Sequence, residues 1–110
     1  MTQACWVMYK IIKSSNESQA KQLYYLKAFE TVCELLEDPE ARILRIVLDC
    51  IYEFLRIGDQ FLDQDGENFF VLALGETKDL DKLENLQDHP QESIRKKALN
   101  ILETFFEPDE

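Results

Sequence analysis

Residues 40–57 have the sequence EARILRIVLDCIYEFLRI, and the spacing of their apolar side chains predicts the fold. The apolar residues are Ile43, Leu44, Ile46, Val47, Leu48, Cys50, Ile51, Phe54, Leu55 and Ile57. They recur at steps of three and four, which is the spacing of an α-helix, and they span an arc of roughly 200°. A surface helix of a simple bundle buries an arc nearer 100°. This stretch is therefore predicted to be a long helix that other helices cover on both flanks.

The remaining positions of this helix form a polar strip. Its members are Arg45, Asp49, Tyr52, Glu53 and Arg56. In a superhelix of stacked repeats, such a strip lines one open surface, where partner proteins bind. We predict that a basic or mixed-charge protein docks on this strip.

Apolar periodicity continues through the rest of the chain and predicts an all-α fold. About seven helices are expected, at roughly 3–13, 17–26, 29–37, 40–57, 67–76, 80–88 and 91–106. Ser15 or Asn16 can cap the second helix. Asp38-Pro39-Glu40 and His89-Pro90-Gln91-Glu92 each offer a proline for a first helical position, and Gly58 is expected to end the long helix in a left-handed conformation.

The chain also repeats itself. Cys33–Pro39 aligns with Leu83–Pro90 after one inserted residue, so a three-helix unit recurs after about 51 residues. A polar loop, Asp59–Gly66, explains most of the extra length over common helical repeats. The predicted units are the last helix of one repeat at 1–13, a second repeat at 16–58, a terminal repeat at 66–107 and an acidic tail at 108–110.

The last helix differs from the long helix on one flank. Arg95 and Lys97 occupy the positions that Leu44 and Ile46 hold in the previous repeat. A polar flank is typical of a terminal repeat, because no further repeat stacks on it. We therefore predict that residues 66–107 form a capping repeat.

Composition excludes several classes of function. The 110 residues carry a net charge of −10, most of it in residues 58–110, and such a field repels nucleic acid and anionic membranes. Three widely spaced cysteines and one histidine, His89, indicate no metal site or cofactor, and no catalytic motif is present, so an enzyme is not expected. The chain has no apolar run of membrane-spanning length and no signal peptide, which predicts a protein of the cytoplasm and nucleus.

Two rows of residues lie at matching phase in successive repeats. One row joins Trp6, Asp49 and Asn100, and the other joins Lys10, Glu53 and Thr104. Trp6 is either a core residue or part of the open surface, where its ring can receive the stem of a partner's lysine or arginine. On the second interpretation both rows belong to the binding surface.

Several segments resemble importin-α, the adaptor for nuclear import of proteins that carry basic localisation signals. Ala4-Cys5-Trp6 is similar to the end of the family's eighth armadillo repeat, and Cys33–Leu36 with Leu48–Gly58 is similar to the ninth. Leu80–His89, followed by Lys97-Ala98 and Phe105–Glu107, resembles the tenth repeat and its acidic tail. The resemblance covers nearly the whole chain.

The resemblance implies a fragment of a right-handed α-α superhelix that binds proteins. Implied partners are the importin-α export receptor, the importin-β system, a nucleoporin and basic cargo. In the family, an asparagine and an acid flank the eighth-repeat tryptophan and hold the signal peptide. Here Lys10 and Gln3 replace them beside Trp6, so a weakened minor signal-binding site is expected.

Other interpretations remain open on the sequence alone. One is an armadillo-like scaffold outside nuclear transport, and another is a small metal-binding or catalytic helical domain. Because a short solenoid piece leaves the flank of its first helix uncovered, self-association is also predicted. The flank is expected to include some of the residues Cys5, Val7, Met8, Ile11 and Ile12.

Overall fold

The computed structural model describes residues 2–13, 16–25, 27–37, 40–62, 66–76 and 79–106. Every regular element in these ranges is helical, which confirms the all-α prediction and its seven helices. They are α1 (Thr2–Lys13), α2 (Glu17–Tyr25), α3 (Ala28–Glu34), α4 (Ala41–Gln60), α5 (Phe69–Gly75), α6 (Asp79–Asn85) and α7 (Glu92–Phe105). Short 3₁₀ turns, Leu35–Glu37 after α3 and Leu86–Asp88 after α6, mark equivalent points of the two repeats.

The caps predicted for the helix starts are confirmed only in part. Asn16 caps α2 as predicted: its side-chain oxygen accepts from the Gln19 N–H at 2.9 Å, and the Gln19 side chain accepts from the Asn16 N–H at 3.0 Å. The prediction that Pro90 is a first helical residue is wrong. Gln91 is the extended N-cap residue of α7, so Pro90 lies one position before it. Glu40 is the N-cap of α4, and Pro39 lies outside the described residues.

The long helix α4 lies between its neighbours. It packs against α1 and α7, and also against α3 and α5. Leu44 and Leu48 on one flank of the apolar arc are 2% and 0% exposed, and Cys50 and Ile57 on the other flank are 0% and 1% exposed, so both flanks are covered. The prediction of a helix sandwiched between others is therefore confirmed.

Three phenylalanine rings form the centre of the core, where α3, α4 and α5 meet. The ring centroids of Phe29 and Phe54 are 5.0 Å apart, and Phe70 lies 5.4 Å from Phe29 and 5.2 Å from Phe54. Cys33 and Cys50 are buried in the same core, and burial raises the pKa of the Cys33 thiol far above its usual value. These two cysteines therefore pack as small hydrophobic residues.

The end of α4 differs from the prediction. Gly58 does not end the helix: α4 continues to Gln60, and Gly58 is buried without a positive φ. Because Gly58 has no side chain, the Asn68 side chain can lie close to its backbone. A Cβ at this position would lie 2.0 Å from the Asn68 Oδ1 atom. Asn68 caps α5 by accepting from the N–H groups of Phe70 and Val71, and it donates to the Leu55 carbonyl at 2.8 Å.

Polar contacts also join the two successive repeats. Lys82 on α6 lies 3.3 Å from Glu37 in the 3₁₀ turn that precedes α4, and 3.4 Å from Asp79. The hydrogen bond to Glu37 is the main cause that raises the pKa of Lys82. The Glu37 side chain is 70% exposed, so this ion pair adds little to stability.

Arg95 and Lys97 of α7 were expected on a flank that faces outward, but both side chains make contacts within the chain. The Lys97 ammonium lies 2.7 Å from the Asp49 carboxylate on α4, so it points toward the previous repeat. Arg95 donates to the carbonyls of His89 and Pro90 at the start of its own helix. The outward-flank prediction is therefore wrong for Lys97, because an acid on the neighbouring helix attracts it.

Candidate protein-binding surface

The predicted polar strip of α4 is only partly open. All five strip residues are half-buried, and three of them, Arg45, Asp49 and Tyr52, contact α7 or the residue that caps it. Arg45 at the start of the strip donates to the side chain of Gln91, the N-cap residue of α7, at 3.1 Å. The strip is therefore continuous with the surface of the next repeat.

The carboxylate of Asp49 is neutralised within the chain. Its Oδ1 atom accepts from the Lys97 ammonium at 2.7 Å, with both side chains more than one-third exposed. Solvent screens such a pair, and its net contribution to stability is about 0–1 kcal/mol. The pair matters more for binding than for stability, because a cation from a partner must share the Asp49 carboxylate with Lys97.

Glu53 is also paired, one turn further along. Its carboxylate accepts from the Nε and Nη2 atoms of Arg56 at 2.9 and 2.8 Å. The Glu53 side chain is only 12% exposed, whereas that of Arg56 is 35% exposed. The guanidinium group therefore presents more of its surface to solvent than the carboxylate does.

A shallow groove, which we name the α4/α7 groove, brings several predicted residues together. Tyr52 forms one wall and packs edge-on against the ring of Phe105, with centroids 5.6 Å apart. Thr104 lies beside the groove and donates to the Asn100 side chain at 3.3 Å. The lining residues are Leu48, Asp49, Tyr52, Lys97, Asn100 and Ile101.

Trp6 lies on the surface of α1. Its ring is 47% exposed and stacks on Tyr9 at a centroid distance of 5.6 Å. The Lys10 ammonium lies 5.3 Å from the centre of the Trp6 ring, and Lys13 lies 5.7 Å from that of Tyr9. The interpretation of Trp6 as a core residue is wrong, but its ring already contacts a cation of its own chain.

Sequence reasoning placed Asp49, Tyr52 and Asn100 on one surface, and the structure brings these three into one groove. It missed Lys97 as the partner of Asp49. The available signal was that Lys97 stands where Ile46 stands, on the flank nearest the neighbouring helix. A cation on that flank can pair with an acid one repeat earlier.

The described residues lack the features of a metal-binding site. No group of three or more histidine, cysteine or carboxylate side chains among them is arranged to hold a metal ion. His89 acts locally, since its Nδ1 atom accepts from the Gln91 N–H at 3.0 Å. Within the same residues, no helix combines the length and apolar character of a membrane span.

Comparison with known proteins is consistent with this geometry. Residues 68–110 match the family described as an atypical Arm repeat, so the stretch from α5 onward is an armadillo repeat. The chain is also 30% identical to importin subunit alpha-2 of Arabidopsis thaliana over 98 residues, which cover 86% of the chain. It is 31% identical to importin subunit alpha-3 of Caenorhabditis elegans over 97 residues, or 88% of the chain.

The same matches cover only 18% of the length of each of these two relatives. A shorter match, 34% identical over 74 residues, links the chain to importin subunit alpha-1a of Oryza sativa subsp. japonica. The helix order, the sandwiched α4 and the repeat match agree with these similarities. The chain is thus an importin-α-like chain with an all-α armadillo fold.

Proposed function

We propose that this chain is a non-catalytic protein-binding region of a nuclear import adaptor. The observation that carries the proposal is the importin-α similarity over most of the chain. The proposed partners are the importin-α export receptor, a nucleoporin or selected cargo, in the cytoplasm and nucleus. The α4/α7 groove and the α4 strip are the proposed contact surface.

The charges on this surface favour a partner of mixed charge. Asp49 is balanced by Lys97 and Glu53 by Arg56, so the surface presents paired charges instead of a row of acids. Complementary charge determines specificity and association rate more than affinity. A purely basic segment therefore gains less here than the net charge of the chain suggests.

The main test is binding of the export receptor with and without the small GTPase in its GTP form. We expect binding that depends on the GTP form, and we expect Asp49→Lys with Glu53→Lys to lower the affinity by about tenfold or more. The two substitutions leave Lys97 and Arg56 without their acids and add two cations. Isothermal titration calorimetry measures the change.

The matched control is Asp81→Lys with Asp88→Lys, which makes the same change of charge at exposed positions of the α6 region. It is expected to leave the affinity nearly unchanged. Equal losses in the two double variants would show that net charge, and not the α4 strip, determines binding. Binding to an unrelated partner without binding to the export receptor would favour a scaffold outside nuclear transport.

The weakened minor signal-binding site is proposed from Lys10. Its ammonium lies over the Trp6 ring, where a cation of a basic peptide would otherwise lie. Cation–π contacts contribute about 0.5–1 kcal/mol at exposed sites, and two cations about 4 Å apart in water repel by about 1 kcal/mol. Lys10 therefore both occupies this face and repels an arriving cation.

Removing this cation is expected to strengthen binding of a basic peptide. Lys10→Gln should raise the affinity by about tenfold, in line with the two contributions together. Fluorescence of Trp6, the one tryptophan in the chain, reports the binding directly. Lys96→Gln on α7 removes the same charge from an exposed position, where Lys96 pairs with Glu92 of its own helix. If both variants gain equally, the effect is due to net charge and the role of Lys10 is refuted.

A further inference from the structure

Helix α1 leaves an apolar flank uncovered. Val7 and Ile11, one turn apart on the same face, are 53% and 45% exposed. Ile12 is fully buried and belongs to the core, so of the five residues named for this flank it is not among those exposed. The side chains of Cys5 and Met8 lie outside the described ones. The helix carries Lys10 and Lys13 and no acid, and Lys10 lies beside the flank, about 60° around the helix from Val7.

The opposite end of the chain carries a second open surface, which we name the α6/α7 groove. Leu99 is 42% exposed there, and Leu80, Leu102 and Phe106 are half-buried. Glu84 and Glu103 are exposed at its rim. The lining residues are Leu80, Glu84, Gln87, Leu99, Leu102, Glu103 and Phe106.

This groove lies on the side of α7 that faces away from α4. Lys97 points toward α4. Leu99 lies two residues later in the sequence, so its side chain points about 160° away from that of Lys97 around the helix axis. In the order α1, α4, α7, the α6/α7 groove is therefore the surface on which a following helix would stack. The uncovered flank of α1 is the surface on which a preceding helix would stack.

We propose that the α1 flank of one copy docks in the α6/α7 groove of a second copy, head to tail. An apolar flank on a basic helix then meets an apolar groove with an acidic rim. Contact between two α1 flanks would bring lysines together, and contact between two grooves would bring glutamates together, so charge complementarity favours the unlike pairing. This inference rests on the packing of the repeats and does not require the proposed function.

Head-to-tail contact has a distinctive concentration dependence. An interface between unlike surfaces leaves one free surface of each kind on every pair, so larger species can follow dimers. Each copy has a net charge of −10, which opposes association at low ionic strength. At an ionic strength of about 0.15 M the screening length is about 8 Å, and the local contacts then dominate.

Sedimentation velocity of two complementary variants tests the proposal. Val7→Asp disrupts the α1 flank and Leu99→Asp disrupts the groove, and both variants are expected to fold because the two positions are exposed. Each variant alone is expected to be monomeric, with a dissociation constant raised more than about tenfold. Mixed in equal amounts, they retain one intact flank and one intact groove, so they form a one-to-one dimer that grows no further.

Leu62→Asp serves as the control, because Leu62 is 49% exposed and lies outside both surfaces. It is expected to associate like the unchanged chain. The proposal is overturned if the unchanged chain stays monomeric at millimolar concentration. It is also overturned if either Val7→Asp or Leu99→Asp alone still associates like the unchanged chain, since that result indicates contact between like surfaces, or if their mixture stays monomeric.

Discussion

Replacing Phe54 by alanine is expected to lower the free energy of unfolding by about 3–5 kcal/mol. Phe54 is 0% exposed and lies within 5.2 Å, centroid to centroid, of both Phe29 and Phe70. Its removal therefore opens a cavity where α3, α4 and α5 meet. Aromatic pairs also contribute about 0.5–1.5 kcal/mol beyond their buried area, and two pairs are lost. Urea unfolding followed by circular dichroism measures the change.

Two further variants separate the cavity from a general effect of losing an aromatic ring. Phe54→Leu keeps much of the volume, so it is expected to lose clearly less stability than Phe54→Ala. Phe61→Ala removes a ring that is 43% exposed, and it should change stability by no more than about 0.5 kcal/mol. A loss of less than about 1 kcal/mol in Phe54→Ala would contradict the packing described for the three rings.

Gly58→Ala is the second large expected effect, about 2 kcal/mol of lost stability. The added Cβ would lie 2.0 Å from the Asn68 Oδ1 atom, so the Asn68 side chain must leave its place. The protein then loses the cap of α5 and the hydrogen bond to the Leu55 carbonyl. A lost cap costs about 1 kcal/mol and an unpaired buried polar group about 1–3 kcal/mol, while alanine recovers about 1 kcal/mol of helix propensity.

A double-mutant cycle decides whether Asn68 is the cause. In an Asn68→Ala background the clash is absent, so adding Gly58→Ala is expected to be neutral or stabilising. Gly75→Ala is the matched control, because a Cβ there meets nothing within 4 Å. Additive losses from Gly58→Ala and Asn68→Ala would show that the two residues act independently and would refute the close-approach explanation.

The fold was largely predictable because apolar periodicity determines it. The wide apolar arc of α4 requires cover on both flanks, and the burial of Leu48 on one flank and Cys50 on the other confirms it. The helix boundaries were less predictable. A glycine after a long helix is typical of a left-handed end, but the approach of Asn68 from ten residues later is a tertiary contact that no local pattern contains.

The sequence predicted which residues form the candidate surface, but it did not predict how their charges pair. The phase of α4 placed Asp49 and Tyr52 on one surface, and the structure puts Asn100 beside them. The pairing of Asp49 with Lys97 depends on the distance between two helices, which periodicity does not give. The position of Lys10 over Trp6 could have been predicted, since side chains four residues apart contact each other on a helix.

The bond from Asn68 back to Leu55 has a practical use in protein engineering. It ties the start of α5 to a carbonyl thirteen residues earlier, so both ends of the intervening connection are held by the packed helices. The entropy of closing a loop grows only with the logarithm of its length, about 0.6 kcal/mol for each doubling. A reporter sequence inserted after Leu62 should therefore leave the armadillo fold intact, and it would provide a label that is independent of Trp6.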